Sequence, residues 1–176
     1  MMRVLLTGPP RCGKTTLVER VVESVRGEVR LAGFFTSEVR EGGDRSGFDV
    51  VALDGRRGVL SRKGGRGGPR VGSYTVDLGS FERIGVAALK DPSAEAFVID
   101  EIGLMELNSK AFKEAVSALL DGPRPVLATI RHRAEPFCDS IKARPGVELI
   151  VVSQANRDGL AGELAGRLLR ECGKKG

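Results

Sequence analysis

Eight residues near the start of the chain constrain its fold more than any other stretch. Gly8-Pro9-Pro10-Arg11-Cys12-Gly13-Lys14-Thr15 fits G-x-x-x-x-G-K-[ST], the pattern of a phosphate-binding loop. Its glycines let the backbone fold tightly round phosphates, and its amides, with the N-terminus of the next helix, offer donors and positive potential to an anion. Such a loop has to connect a buried strand to a helix. Arg3 to Thr7 is a short apolar run that reads as the strand, and Leu17, Val18, Val21, Val22 and Val25 recur at helical spacing, so Thr15 to about Arg26 reads as the helix. The predicted nucleotide-binding residues are Gly8, Pro9, Pro10, Arg11, Cys12, Gly13, Lys14, Thr15 and Thr16. Lys14 reaches the β and γ phosphates, and the Thr15 hydroxyl suits Mg²⁺.

The other half of such a site is a carboxylate at the end of an apolar strand. Ala96-Phe97-Val98-Ile99-Asp100-Glu101 supplies it. Asp100 suits the Mg²⁺ shell, usually through water, and Glu101, one residue on, suits the base that orients the attacking water. Adjacent strand residues point in different directions, so the two acids can divide these tasks. Lys14 and Glu101 are therefore the catalytic candidates, with Thr15 and Asp100 for the metal. Thr129 ends another apolar run, where a polar side chain can sense the γ phosphate or simply satisfy β propensity. Just beyond it, Arg131 and Arg133 are candidates for neutralising charge on the transferred phosphoryl group.

Further strands are expected at Gly33 to Val39, Phe48 to Leu53, Pro125 to Ile130 and Glu148 to Val152. Helical patterns cover Ala111 to Leu120, Pro136 to Ala143 and the closing Leu160, Leu164, Leu168 and Leu169. Alternation of this kind predicts an α/β fold with a mostly parallel sheet flanked by helices. Residues 34–76 differ, because glycine pairs break them into short pieces without a helical period; they read as an antiparallel hairpin or meander extension. A single domain over 1–172 with a frayed tail at 173–176 is the expected organisation.

The formal net charge is +5, but Gly55 to Val76 holds six basic residues and no acid, which leaves the rest of the chain at −1. A solvated loop, a cationic flap approaching a triphosphate, or a nucleic-acid surface would each use that stretch. Its lone aromatic, Tyr74, is a poor stacking platform, so nucleic acid is the weaker partner. A nucleotide or small-molecule kinase with residues 56–70 as a lid is the main alternative to hydrolysis, and Glu101 tells against it. A GTP switch would need a guanine-reading N-K-x-D, which does not occur. Three dispersed cysteines, Cys12, Cys138 and Cys172, suit neither a disulfide framework nor zinc, and no apolar run spans a membrane; a cytoplasmic protein is expected.

Several stretches together resemble the thermophile-type nucleoside-triphosphatases, the family that contains human cancer-related nucleoside-triphosphatase. They are Gly8 to Thr16, Glu38 to Gly43, Arg45 to Phe48, Arg70 to Tyr74, Asp100-Glu101-Ile102-Gly103-Leu104-Met105-Glu106-Leu107 and Asn156-Arg157-Asp158. The resemblance implies a RecA-like or AAA-like P-loop core and slow, base-tolerant, Mg²⁺-dependent hydrolysis of ATP, GTP and other triphosphates. It also places Asn156 or Arg157 beside the base or ribose. The familiar loop has Gly-Val where this chain has Arg11 and Cys12.

Overall fold

The computed structural model describes residues 1–174. Strands β1 (Arg3–Thr7), β2 (Leu31–Glu41), β3 (Asp44–Ala52), β4 (Arg57–Lys63), β5 (Arg70–Val71), β6 (Tyr74–Val76), β7 (Ala96–Ile102), β8 (Val126–Ile130) and β9 (Glu148–Val151) form one sheet in the order β5-β6-β4-β3-β2-β7-β8-β1-β9. From β2 to β9 the pairings are parallel, and from β2 to β5 they are antiparallel. Strand β2 belongs to both halves. The extension expected at 34–76 is thus a meander that grows from a core strand.

The inner parallel strands β1, β7 and β8 are apolar at nearly every position because both their faces are covered. Helices α1 (Lys14–Val25) and α5 (Arg157–Glu171) close one face over Met2, Val4, Leu6, Val98 and Leu127. Helices α2 (Leu78–Phe81), α3 (Lys110–Asp121) and α4 (Pro136–Lys142) close the other over Leu5, Phe97, Ile99 and Ala128. Successive residues of one strand divide between two cores, as the two-residue period requires. Phe34 on β2, Phe81 on α2 and Phe112 on α3 meet with ring centroids 5.4 to 6.0 Å apart, which fastens the meander's helix to the main core.

Two elements depart from the expected pattern. Leu78 to Val86 is helical, with the Asp77 carboxylate accepting from Ser80 N at 2.8 Å and a π-helical turn at Glu82–Val86. Gly79 and Gly85 within this stretch dilute its apolar period. The tail expected to fray is ordered at its start: Lys174 N donates to Leu169 O at 2.9 Å and its ammonium lies 3.1 Å from Glu95. Residues 175–176 of that expected tail lie outside the described residues.

Candidate active site

Strand β8 lies between β1 and β7, with Leu6 paired to Thr129 and Ile99 to Ala128. The carboxyl ends of three neighbouring parallel strands therefore open on one crevice, where open α/β sheets bind ligands. Strand β1 ends at Thr7 and turns into Gly8 to Gly13; α1 begins at Lys14. Gly13 has φ +101°, and a Cβ there would also come within 2.8 Å of the Arg157 guanidinium, so the position takes only glycine. No acid occupies the first turn of α1, which leaves its positive end free for an anion. Lys14 Nζ donates to Gly8 O at 3.0 Å and Pro9 O at 3.2 Å, bridging the loop's first turn.

The two sequence motifs meet. Thr15 Oγ1 donates to Asp100 Oδ2 at 2.9 Å across 85 positions of chain. Thr129 Oγ1 donates to Asp100 Oδ1 at 2.5 Å, so both carboxylate oxygens are held by hydroxyls. Asp100 and Thr129 are buried, at 2% and 0% exposure. Burial pushes the Asp100 carboxyl above its ordinary range, against the pull of Thr129, Thr15 and Lys14. Glu101 is raised first by burial and then by the Asp100 charge, while Lys14 and Arg131 act the other way. A buried carboxylate whose bonded partners are neutral hydroxyls suits a divalent cation. Oxygen donors from Thr15 and Asp100 suit Mg²⁺, a hard ion that takes few protein ligands and completes its shell with phosphate and water. In keeping with that, no group of three or more His, Cys, Asp or Glu forms a metal cage among the described residues.

A cavity of about 400 Å³ is lined by Gly8, Pro10, Lys14, Glu101, Arg131, His132 and Arg133. Glu101 is its one acidic wall residue, against Lys14 and the two arginines, a balance that suits a polyphosphate. His132, which sequence reasoning passed over, stands there with Nδ1 3.4 Å from Thr7 Oγ1. Its signal was position, three residues past Thr129 on the strand end.

Other sequence expectations fare differently. The Thr129 hydroxyl is engaged by Asp100, so it positions that carboxylate instead of reaching into the phosphate cavity. Asn156 is closed on itself: its Oδ1 accepts from Ser153 N at 2.8 Å and its Nδ2 donates to Val151 O at 2.9 Å, a local turn that leaves little for a base. Arg157 does lie against the loop at Gly13. Cys12 is buried inside the loop, with its Sγ 3.8 Å from Lys14 Nζ. Arg11 adopts φ +63°, a left-handed conformation that the glycine of the familiar loop takes without cost.

The cationic flap is corrected. Arg57 and Arg62 both pair with Asp49, at 2.7 and 2.5 Å, and Arg56 pairs with Asp54 at 2.7 Å. Those acids, Asp49 and Asp54, lie just outside the acid-free window, on or beside the neighbouring strand, so three of the six cations are paired in space though not in sequence. None of the six basic residues lines the Lys14 cavity. What the segment brings toward Glu101 is apolar: Leu60 and Val71 help wall a second cavity behind it. The same pairings engage Arg56, Arg57 and Arg62, three of the cations that a lid or a nucleic-acid surface would use.

Known proteins agree with this architecture. A family model described as NTPase matches residues 3–165. Nucleoside-triphosphatase THEP1 of Thermotoga petrophila is 41% identical over 165 residues, covering 93% of this chain and 90% of its own. The crystal structure of THEP1 from Aquifex aeolicus superposes with a TM-score of 0.83 at 35% identity, over 95% of this chain and 99% of that one. The solution structure of a human cancer-related nucleoside triphosphatase gives 0.81 at 40% identity, over 97% and 98%.

Proposed function

The chain belongs to the nucleoside-triphosphatase family and is a nucleoside-triphosphate hydrolase, and from that premise we propose that Lys14, Thr15, Asp100 and Glu101 carry a slow, Mg²⁺-dependent, base-tolerant reaction. The observation that carries this reading is the 2.9 Å bond between Thr15 and Asp100, which joins the phosphate loop to the acidic strand end. Thr15 and Asp100 would hold Mg²⁺, which would supply charge neutralisation to the phosphates. The loop amides and Lys14 hold the phosphates, exchanging the Gly8 and Pro9 carbonyls for phosphate oxygens. Glu101, facing the same cavity, orients water and takes its proton as the oxygen attacks the γ phosphorus and the bond to the β–γ bridging oxygen breaks, releasing nucleoside diphosphate and phosphate. Arg131 and Arg133 line the wall where charge on the transferred group develops.

Base tolerance is supported by the engaged Asn156 side chain: the amide nearest the expected base position is committed to the backbone of its own turn. Phosphate release from ATP, GTP, CTP and UTP by the protein and by Glu101→Gln and Lys14→Ala tests the assignment. Glu101→Gln is expected to bind nucleotide with most turnover lost, and Lys14→Ala to lose both. Full activity of Glu101→Gln would sink the base assignment, and turnover only with an added phosphate acceptor would replace hydrolysis by transfer.

A further inference from the structure

One buried acid has no task in the reaction as described. Glu106 opens the 3-10 turn Glu106–Asn108 that follows β7 and is 5% exposed. Burial is the main cause that raises its carboxyl to about 8; the charges of Glu101 and Asp100 add to this, and the amides of Glu106 and Gly103 oppose it. At neutral pH it is therefore an uncharged acid with a proton to donate. A leucine or methionine would fill the same space without the cost of burying a carboxyl, so packing alone does not account for it.

The geometry around Gly103 does. A Cβ built there would lie 2.9 Å from Glu101 Oε1 and 3.1 Å from Glu106 Oε2, so the two oxygens flank one point and are no more than about 6 Å apart. A separation within that bound is spanned by a direct hydrogen bond or by one water. Both acids also wall the cavity behind Glu101, about 260 Å³, which has room for such a water. The charged groups facing this pair are few. Asp100 comes from β7, Arg131 from the end of β8 and Lys14 from the start of α1. The meander contributes Thr36, Phe48, Leu60 and Val71, all uncharged. On the π-helical turn, Glu82 is engaged by the Ser109 hydroxyl at 2.6 Å.

We propose that Glu106 is the positioning partner of Glu101: its carboxyl, set beside Glu101 at Gly103 and acting directly or through one water, fixes the Glu101 side chain toward the phosphate cavity. The inference rests on the reading of Glu101 as the base. A neutral partner is required, since a second carboxylate would repel both Glu101 and the triphosphate. It also gives Gly103 a reason to lack a side chain, because a methyl group there would occupy the point that the two oxygens flank.

The test is phosphate release from ATP by Glu106→Gln, Glu106→Met, Gly103→Ala and Glu101→Gln between about pH 6 and 9.5, with melting temperatures measured on the same samples. Glu106→Gln, which keeps a neutral donor, should hold kcat within about threefold of the parent at pH 7 and lack the fall expected of the parent above about pH 8. Glu106→Met and Gly103→Ala should lose about tenfold or more in kcat with KM nearly unchanged. Parent-like kcat in Glu106→Met overturns the proposal, as does a Glu106→Gln protein that is as slow as Glu106→Met or keeps the alkaline fall. If Glu106→Met does not fold, the pH profile of Glu106→Gln alone decides. An active Glu101→Gln protein would remove the base itself, whereas an inactive one beside a fully active Glu106→Met removes only the role of Glu106.

Discussion

Replacing Thr129 by valine isolates the bond that fixes the acidic strand end. The two side chains have nearly the same shape, so no cavity forms, and the change reduces to losing a donor that lies 2.5 Å from Asp100 Oδ1. With Thr129 and Asp100 at 0% and 2% exposure, water does not readily replace it. A hydrogen bond to a charged group contributes about 1.5–3 kcal/mol, and a buried acceptor left unmet costs a similar amount. We expect Thr129→Val to lose about 2 kcal/mol, which in a chain of this size lowers the melting temperature by roughly 4–8 °C. In the proposed reaction the same carboxylate serves the metal, so the Mg²⁺ concentration for half-maximal phosphate release should rise about tenfold or more. Thermal unfolding of Thr129→Val, Asp100→Asn and the double variant makes a cycle in which the Thr129 loss should shrink once Asp100 is neutral. An equal loss in both backgrounds, or no loss in the parent, would show that the Thr129 hydroxyl does not act through Asp100.

Two further outcomes follow from conformation and charge. Arg11→Gly relieves a left-handed arginine, a cost of about 1–2 kcal/mol partly offset by the freer unfolded chain, so its melting temperature should stay level or rise by a few degrees; a marked fall would mean that the Arg11 side chain makes contacts that matter. Glu106 is raised from an ordinary 4.5 to about 8, so its contribution to stability is full below about pH 4.5 and is lost as pH rises through about 8. Glu106→Gln should therefore flatten the parent's decline between about pH 5 and 9 and be the more stable protein at the alkaline end, by a few kcal/mol at most; parallel curves would refute this.

The phosphate loop and the Asp100-Glu101 strand end were legible because each is local: a handful of adjacent residues specifies both the turn and the chemistry. The flanking helices were legible from apolar spacing. What escaped depends on which strand lies beside which. The partner of Thr129 follows from the placement of β8 between β1 and β7, and the pairing of Arg57 and Arg62 with Asp49 from the register of β3 against β4. A count along the chain sees acid-free sequence where the sheet sees an ion-pair cluster. Glu106 escaped for a related reason. An acid a few residues past an apolar strand reads as solvated, and only the packing of its turn against β7 and α3 shows it to be buried. The helix at Leu78–Val86 was hidden by Gly79 and Gly85, which carry no side chain to mark a face.

Strand β2 carries the meander and at the same time pairs with β7 from Leu31↔Ala96 to Phe35↔Asp100. A part of the molecule that shares a ladder with the strand of Asp100 has no hinge between itself and the candidate site. To swing open it would have to unzip hydrogen bonds of the core sheet, so nucleotide exchange is left to smaller moving parts, such as the Lys14 ammonium letting go of two loop carbonyls. The meander is better understood as masonry than as a door: it sets a wall of the cavity beside Glu101 at the moment the sheet assembles.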